Sequence, residues 1–182
     1  MQRAPRRGLA RQESMGKKPH ILELENHAKV LRVLDHIADG SDLSWYNKRV
    51  WEVARQWFLL ASQHLRVARR LISQPRDWRA VVSRSYYAGY NASRSVRYVV
   101  NGSVKFGADD HQAVGDLPQD FPQRASWSTF LVDLRKDRNI ADYEPWIGMR
   151  STLSQAPSSS LSRVEDFVRQ SKLYLRGRGI RL

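Results

Sequence analysis

The sequence predicts an all-α protein, an up-and-down helical bundle, and three observations carry that prediction. Five segments space their apolar residues three and four apart, the period of a helix with one buried face. Glycine and proline stand between these segments as stops, and no stretch alternates at period two for long enough to make a strand. Across 182 residues the apolar content of 41% is enough for one packed core, hence one domain, or one with an appended arm.

Residues 1–19 read as a basic disordered arm, dominated by Arg, Gly, Pro and Gln with little to bury. The opening lacks the apolar centre of a secretory signal, and Met15 is an alternative start. An additional N-terminal helix is expected over 20–40, on Ile21, Leu24, Ala28, Leu31, Leu34 or Asp35, and Ala38, with Gly40 closing it. Asp42 or Ser44 caps the second helix, which runs from about Trp45 to Ser73 before Pro75. Its apolar stripe includes Trp45, Val50, Trp51, Trp57, Phe58, Leu65 and Ile72, and its tryptophans read as core or as a dimer interface.

Asp77 is placed to cap the third helix, Trp78 to about Val100, ahead of Asn101-Gly102. Ser85, Ala88, Gly89, Ala92 and Ser93 give it a small-residue face that lets another helix backbone come close. Tyr86, Tyr87 and Tyr90 serve either as core residues with their hydroxyls satisfied at the edge, or as the lining of a cleft shared with Arg84. Arg84, Arg94 and Arg97 are assigned to solvent. Residues 102–123 form the long loop between helices three and four, which carries His111. That histidine either caps a helix end or titrates near neutrality in a working site.

Arg124 or Ser126 opens the fourth helix, with Trp127, Phe130, Leu131 and Leu134 facing inward. Pro145 pushes Glu144 out of the α region, so the helix should end near Tyr143. Residues 146–156 form a second loop, stopped by Pro157, and the last helix runs from about Leu161 to Leu175. Residues 176–182 are a basic tail. The helical domain is therefore 20–175, with 45–175 as its core.

The net charge of +13 and a pI near 10.6 are the strongest compositional facts. Residues 1–20 hold six cations against Glu13, a net +5, which leaves +8 to the rest of the chain. A surface of that sign attracts polyanions such as RNA, and equally an acidic protein partner. Mean hydropathy is −0.59 with no long apolar run, so no membrane association is expected and the protein reads as cytoplasmic. The five histidines have no H-E-x-x-H spacing and no cysteine accompanies them, so no metal site is predicted. No P-loop or dinucleotide glycine pattern is present, and no cofactor is expected.

The densest chemistry lies between Leu134 and Trp146. Arg135, Arg138 and Asp142 share one face of a helix there, and Asn139 and Tyr143 form an i, i+4 pair on the adjoining face. An arginine, an amide, a carboxylate and a phenol thus crowd one turn of a helix end. Spacing alone also fits a solvated face with an Arg138–Asp142 ion pair.

Arg138-Asn139-Ile140-Ala141-Asp142-Tyr143 resembles the R-N-x-A-D-Y signature of one subgroup of HEPN domains (higher eukaryotes and prokaryotes nucleotide-binding). Residues Ser83 to Arg94 resemble that family's S-R-x-Y-Y-A-x-(F/Y)-x-A-x-R helix. His111-Gln112-Ala113-Val114 followed by Phe121 resembles a weaker element that lies between the two. The resemblance covers roughly Val50 to Leu175. It implies a HEPN-type bundle and metal-independent RNA cleavage, in which a 2′-hydroxyl attacks the adjacent phosphate. Arg138 would stabilise the pentavalent phosphate, with Asn139 positioning the phosphate or orienting Arg138. Asp142 and Tyr143 complete the candidate catalytic set, and Arg84, Tyr87, Arg135 and His111 are the expected nucleic-acid-binding residues.

Ribonuclease members carry histidine where Tyr143 stands, and a free phenol with a pKa of about 10 is a poor general base at neutrality. The resemblance further implies a homodimer with the motif helices facing each other. It also implies pairing with a minimal nucleotidyltransferase in toxin–antitoxin or defence modules, for which Tyr143 would be a modification target. The alternative is a non-catalytic HEPN module that binds nucleotide, nucleic acid or such a partner through the same cleft.

Overall fold

In the computed structural model, residues 28–30, 32, 44–102, 104 and 108–182 are described. The basic arm and most of the predicted additional helix, including Gly40 and Asp42, lie outside them, although 28–30 and 32 are helical. The remainder is all-α, with no strand among the described residues. The elements in order are α1 (Ser44–Leu71), a 3-10 turn (Pro75–Asp77), α2 (Trp78–Asn101), α3 (Ala108–Gln112) with a second 3-10 turn (Ala113–Gly115), α4 (Arg124–Tyr143), a third (Ile147–Thr152), and α5 (Pro157–Gly177).

Helix α2 is the centre of the bundle, in contact with α1, α4 and α5. The pairings show it running antiparallel to α1 and to α4. Ser95 Oγ donates to the Ala54 carbonyl at one end of α1 (2.8 Å), while Tyr87 stacks on His64 near the other. Toward α4, Arg79 meets Ala141 and Gly89 meets Leu131. Helix α1 turns Val50, Ala54, Phe58, Ala61, Leu65 and Ala68 inward on one stripe, as its three-four spacing predicts.

The small-residue face of α2 is buried by this chain. Ser85, Ala88, Gly89, Ala92 and Ser93 are all covered. A Cβ on Gly89 would stand 3.0 Å from Leu131 Cδ2, so a methyl there would force Leu131 to move. The close partner expected from that face is α4 of the same molecule, and the face therefore gives no argument for a second copy. Gly102 ends α2 in the left-handed region (φ 72°), and its N–H returns to the Tyr98 carbonyl. A Cβ there would fall 2.2 Å from that of Ala28, whose N–H donates to the Gly102 carbonyl (3.0 Å). That contact docks the helical residues 28–30 against the end of α2.

Several expectations are corrected. Trp45 and Trp51 are 56% and 38% exposed, because α1 is phased to bury Tyr46 instead. Ile72 lies past the end of α1 and is also exposed. Arg97 is buried and Arg94 nearly so, not directed to solvent. Asp77 occupies the N-cap position of α2 but makes no capping bond. Residues 102–123 are not one loop, since α3 and its 3-10 turn sit within them. Pro157 opens α5 instead of stopping the loop, which fits proline's tolerance at a first helical position.

Candidate functional site

Helix α4 ends where Pro145 dictates. Glu144 is extended (φ −81°, ψ 122°) and its N–H closes on the Ile140 carbonyl. The last carbonyls of a helix lack partners within it. Arg79, from the first turn of α2, supplies them. Its Nη1 donates to the carbonyls of Ala141 (2.8 Å) and Glu144 (2.6 Å), and its Nη2 donates to that of Trp146 (2.9 Å). A cation at a helix C-terminus also meets the negative end of its dipole. One side chain thus ties down the helix end that carries Arg138, Asp142 and Tyr143.

Arg138 lies along the α2–α4 seam, its side chain 15% exposed. Its Nε is 2.6 Å from Asp142 Oδ2, the i, i+4 pair expected from spacing. Nη2 donates to the Tyr87 hydroxyl (2.7 Å) and Nη1 to Asn139 Oδ1 (3.2 Å). The guanidinium carbon stands 4.9 Å over the Tyr143 ring and 5.4 Å over that of Tyr87. Burial works against the charge, but Tyr87 and Asp142, with hydrogen bonds to Tyr143 and Tyr87, outweigh it and raise the Arg138 pKa. The group is a fixed cation, oriented before any ligand arrives.

Beside it, α3 delivers His111 and Asp110. Asp110 is fully buried. It accepts from the Tyr90 hydroxyl (2.5 Å) and from Arg97 Nη1 (3.1 Å), and Arg94 Nε lies 3.4 Å away. Buried carboxylates need such partners. The His111 ring lies flat on Tyr90 (centroids 4.3 Å, planes at 19°), and its Nδ1 is 2.6 Å from the Tyr86 hydroxyl. Burial, then Arg138, lower the His111 pKa against the pull of Asp110, so the ring is neutral. Burial first, with Tyr90 adding, pushes the Tyr86 pKa far up, so its phenol keeps its proton. Tyr86 has no exposed surface and His111 is its hydroxyl's partner, so the phenol donates to Nδ1. The assignment leaves the ring proton on Nε2.

The structure brings together Arg138, Asp142, Asn139, Tyr143, Tyr87 and His111, with roles partly different from those expected. Tyr143 is 68% exposed, its ring a lid over the guanidinium. Arg135 is a clamp, donating to the His111 carbonyl (3.2 Å). Arg84 is exposed and faces His64 Nδ1 (3.5 Å), which in turn stacks on Tyr87. Of the open alternatives for the tyrosines, Tyr86 and Tyr90 are core residues with satisfied hydroxyls, whereas Tyr87 reaches the cluster around Arg138.

Arg79, His64 and Asp110 are contributors that the sequence did not single out. Only Asp110 carried a signal, as a carboxylate adjacent to the histidine of the third motif. Among the described residues no three His, Asp or Glu side chains converge as a metal ion would need. None of the described helices is long and apolar enough to cross a membrane. Comparison with protein-family models, with curated proteins and with solved structures returned no match for this chain.

Proposed function

We propose that the α2–α4 cluster is a HEPN-type phosphate-binding site, through which the protein binds RNA or a nucleotide. The observation that carries this reading is Arg138, whose guanidinium is held in place by Tyr87, Asp142 and Asn139 at a partly open seam. A preset guanidinium fork suits phosphate oxygens, because orienting it costs no further entropy when the ligand docks. The His111 ring lies edge-on to Tyr87, the partner of Arg138, and a chain of net charge +13 draws polyanions toward the site. The R-N-x-A-D-Y resemblance points the same way.

Metal-independent cleavage, the activity of a toxin or defence endoribonuclease, is the second reading, and His111 is the observation that favours it. A histidine from another element lies in the same cluster as Arg138 although position 143 is tyrosine. Cleavage also requires a group that takes the proton of the 2′-hydroxyl. With Nδ1 occupied by Tyr86 and Nε2 protonated, His111 donates instead of accepting. That places binding first. A homodimer and a nucleotidyltransferase-type partner belong to the proposal on resemblance, with the exposed Tyr143 as the residue a partner would meet.

The experiment incubates labelled RNA with wild type, Arg138→Ala and Tyr143→His in EDTA, beside filter binding across a salt series. Salt-sensitive binding that weakens about ten-fold or more in Arg138→Ala, without products, is expected. Products from wild type that fall by about a hundred- to thousand-fold in Arg138→Ala would establish the nuclease instead. Binding indifferent to Arg138→Ala, with no products, would overturn both readings.

A further inference from the structure

The exposed tryptophans of α1 stand in a pattern that the Arg138 cluster does not use. Trp45, Lys48, Trp51 and Arg55 follow one another at intervals of three, three and four, alternating indole with cation. The Trp51 indole borders a groove of about 500 Å³, whose other walls are Lys48, Glu52, Arg55 and the tail residues Gly179, Ile180 and Arg181. The tail is built into this groove. Ile180 is buried and its N–H returns to the Leu175 carbonyl (3.1 Å). Gly179 takes the left-handed conformation (φ 85°) that brings the chain alongside the indole, where a Cβ would stand 3.8 Å from the ring.

Charge names the class of ligand. Glu52 is engaged by Arg55 (3.4 Å) and by Gln56 (2.5 Å). Lys48 and Arg181 have no ion pair among the described residues. The groove is therefore cationic and bordered on one side by the partly exposed Trp51 indole. We infer that it is a second binding site, which takes a nucleotide unit of single-stranded nucleic acid, base against the Trp51 indole and phosphate between Lys48 and Arg181. Indoles beside unpaired cations are the usual means of gripping unpaired nucleotides without reading their sequence. An apolar or acidic partner would leave either the cations or the indole unsatisfied.

This site is independent of the phosphate reading at Arg138. Trp51 lies thirteen residues before His64, about 20 Å along α1 and more than a third of a turn away from that residue's face.

The test uses the full chain and a fluorescein-labelled oligouridylate, with anisotropy read across salt in an Arg138→Ala background. Residual binding is expected there, weakened about ten-fold further by Trp51→Ala and largely kept by Trp51→Phe, as stacking requires. Arg181→Ala, on the exposed tail, should reduce the salt slope by about one. Circular dichroism confirms that each variant folds. No residual binding in Arg138→Ala, or residual binding unchanged by both Trp51→Ala and Arg181→Ala, overturns the inference. So does a dimer in sedimentation that Trp51→Ala dissociates, since a second copy would then be the occupant. Trp51-dependent capture by phosphatidylserine vesicles, with oligouridylate binding unaffected, overturns it as well.

Discussion

Arg138 and Asp110 show how differently two charged residues can be used within one cluster. Arg138 is held at a seam with its side chain 15% exposed, by partners near the end of α4 and not by the apolar core, so its variants should report on ligand more than on folding. Arg138→Lys keeps the charge but loses the fork, because one ammonium cannot span both Tyr87 and Asp142. Its RNA affinity should fall between wild type and Arg138→Ala, which the same filter-binding series measures. Tyr143→Phe should change that affinity little, since the exposed ring packs over the guanidinium with or without its hydroxyl. Asp110 is the opposite case. Asp110→Asn removes the counter-charge of the buried Arg97 and leaves one acceptor oxygen where Tyr90 and Arg97 each use one. Breaking a buried pair from one side costs about 3–5 kcal/mol, and a urea titration should show a loss of that order. An unchanged midpoint would mean that water reaches Arg97 when the carboxylate is lost.

At the scale of elements, α4 is only as well placed as its end, and Arg79 sets that end. Arg79→Met keeps the stem against the bundle and removes the donor to the carbonyls of Ile140, Ala141, Glu144 and Trp146. The expected result is a stability loss of about 1–2 kcal/mol, with faster hydrogen exchange of the amides at 141–144 and none in α1. Exchange that rises evenly through all the helices would place Arg79 in the global fold instead. This contact also marks the limit of what sequence can convey, because its partners lie more than sixty residues away and no local pattern points to them. The four long helices were legible, because Gly and Pro punctuation and three-four spacing act locally, whereas the five-residue α3 is too short to show the period. The Pro145 stop and the Arg138–Asp142 pair were legible because they too act locally. Phase was not. With Trp45 and Tyr46 adjacent and both apolar, a helix rotation of about 100° decides which is buried, and only the packing partner settles it. The α2 small-residue face likewise announced a close neighbour without saying that the neighbour was α4.

Across the whole molecule, the cluster's two histidines link stability to pH. Burial, aided by Arg84, lowers the His64 pKa, and burial, aided by Arg138 and against Asp110, lowers that of His111. Arg94 and Arg135 act on His111 in the same direction as Arg138, and Tyr86 and Tyr90, which also face it, hold their protons. The folded chain therefore prefers both rings neutral, whereas the unfolded chain protonates them near 6.5. Between those values the unfolded state binds more protons, so stability must rise with pH. The histidine contribution is complete above about pH 7 and is lost as pH falls through the unfolded value and below it. Thermal melts should accordingly drop from pH 7.5 to 5.5. The double variant His64→Gln/His111→Gln should flatten the drop, glutamine keeping an acceptor for the Tyr86 hydroxyl. Phosphate bound at Arg138 supplies a counter-charge beside His111, and should shrink the same drop in wild type by raising the folded-state pKa. Melts of wild type that are flat over this window, or that rise toward pH 5.5, would show that the two rings are charged in the folded protein. The cluster would then present two further cations to its ligand instead of neutral donors.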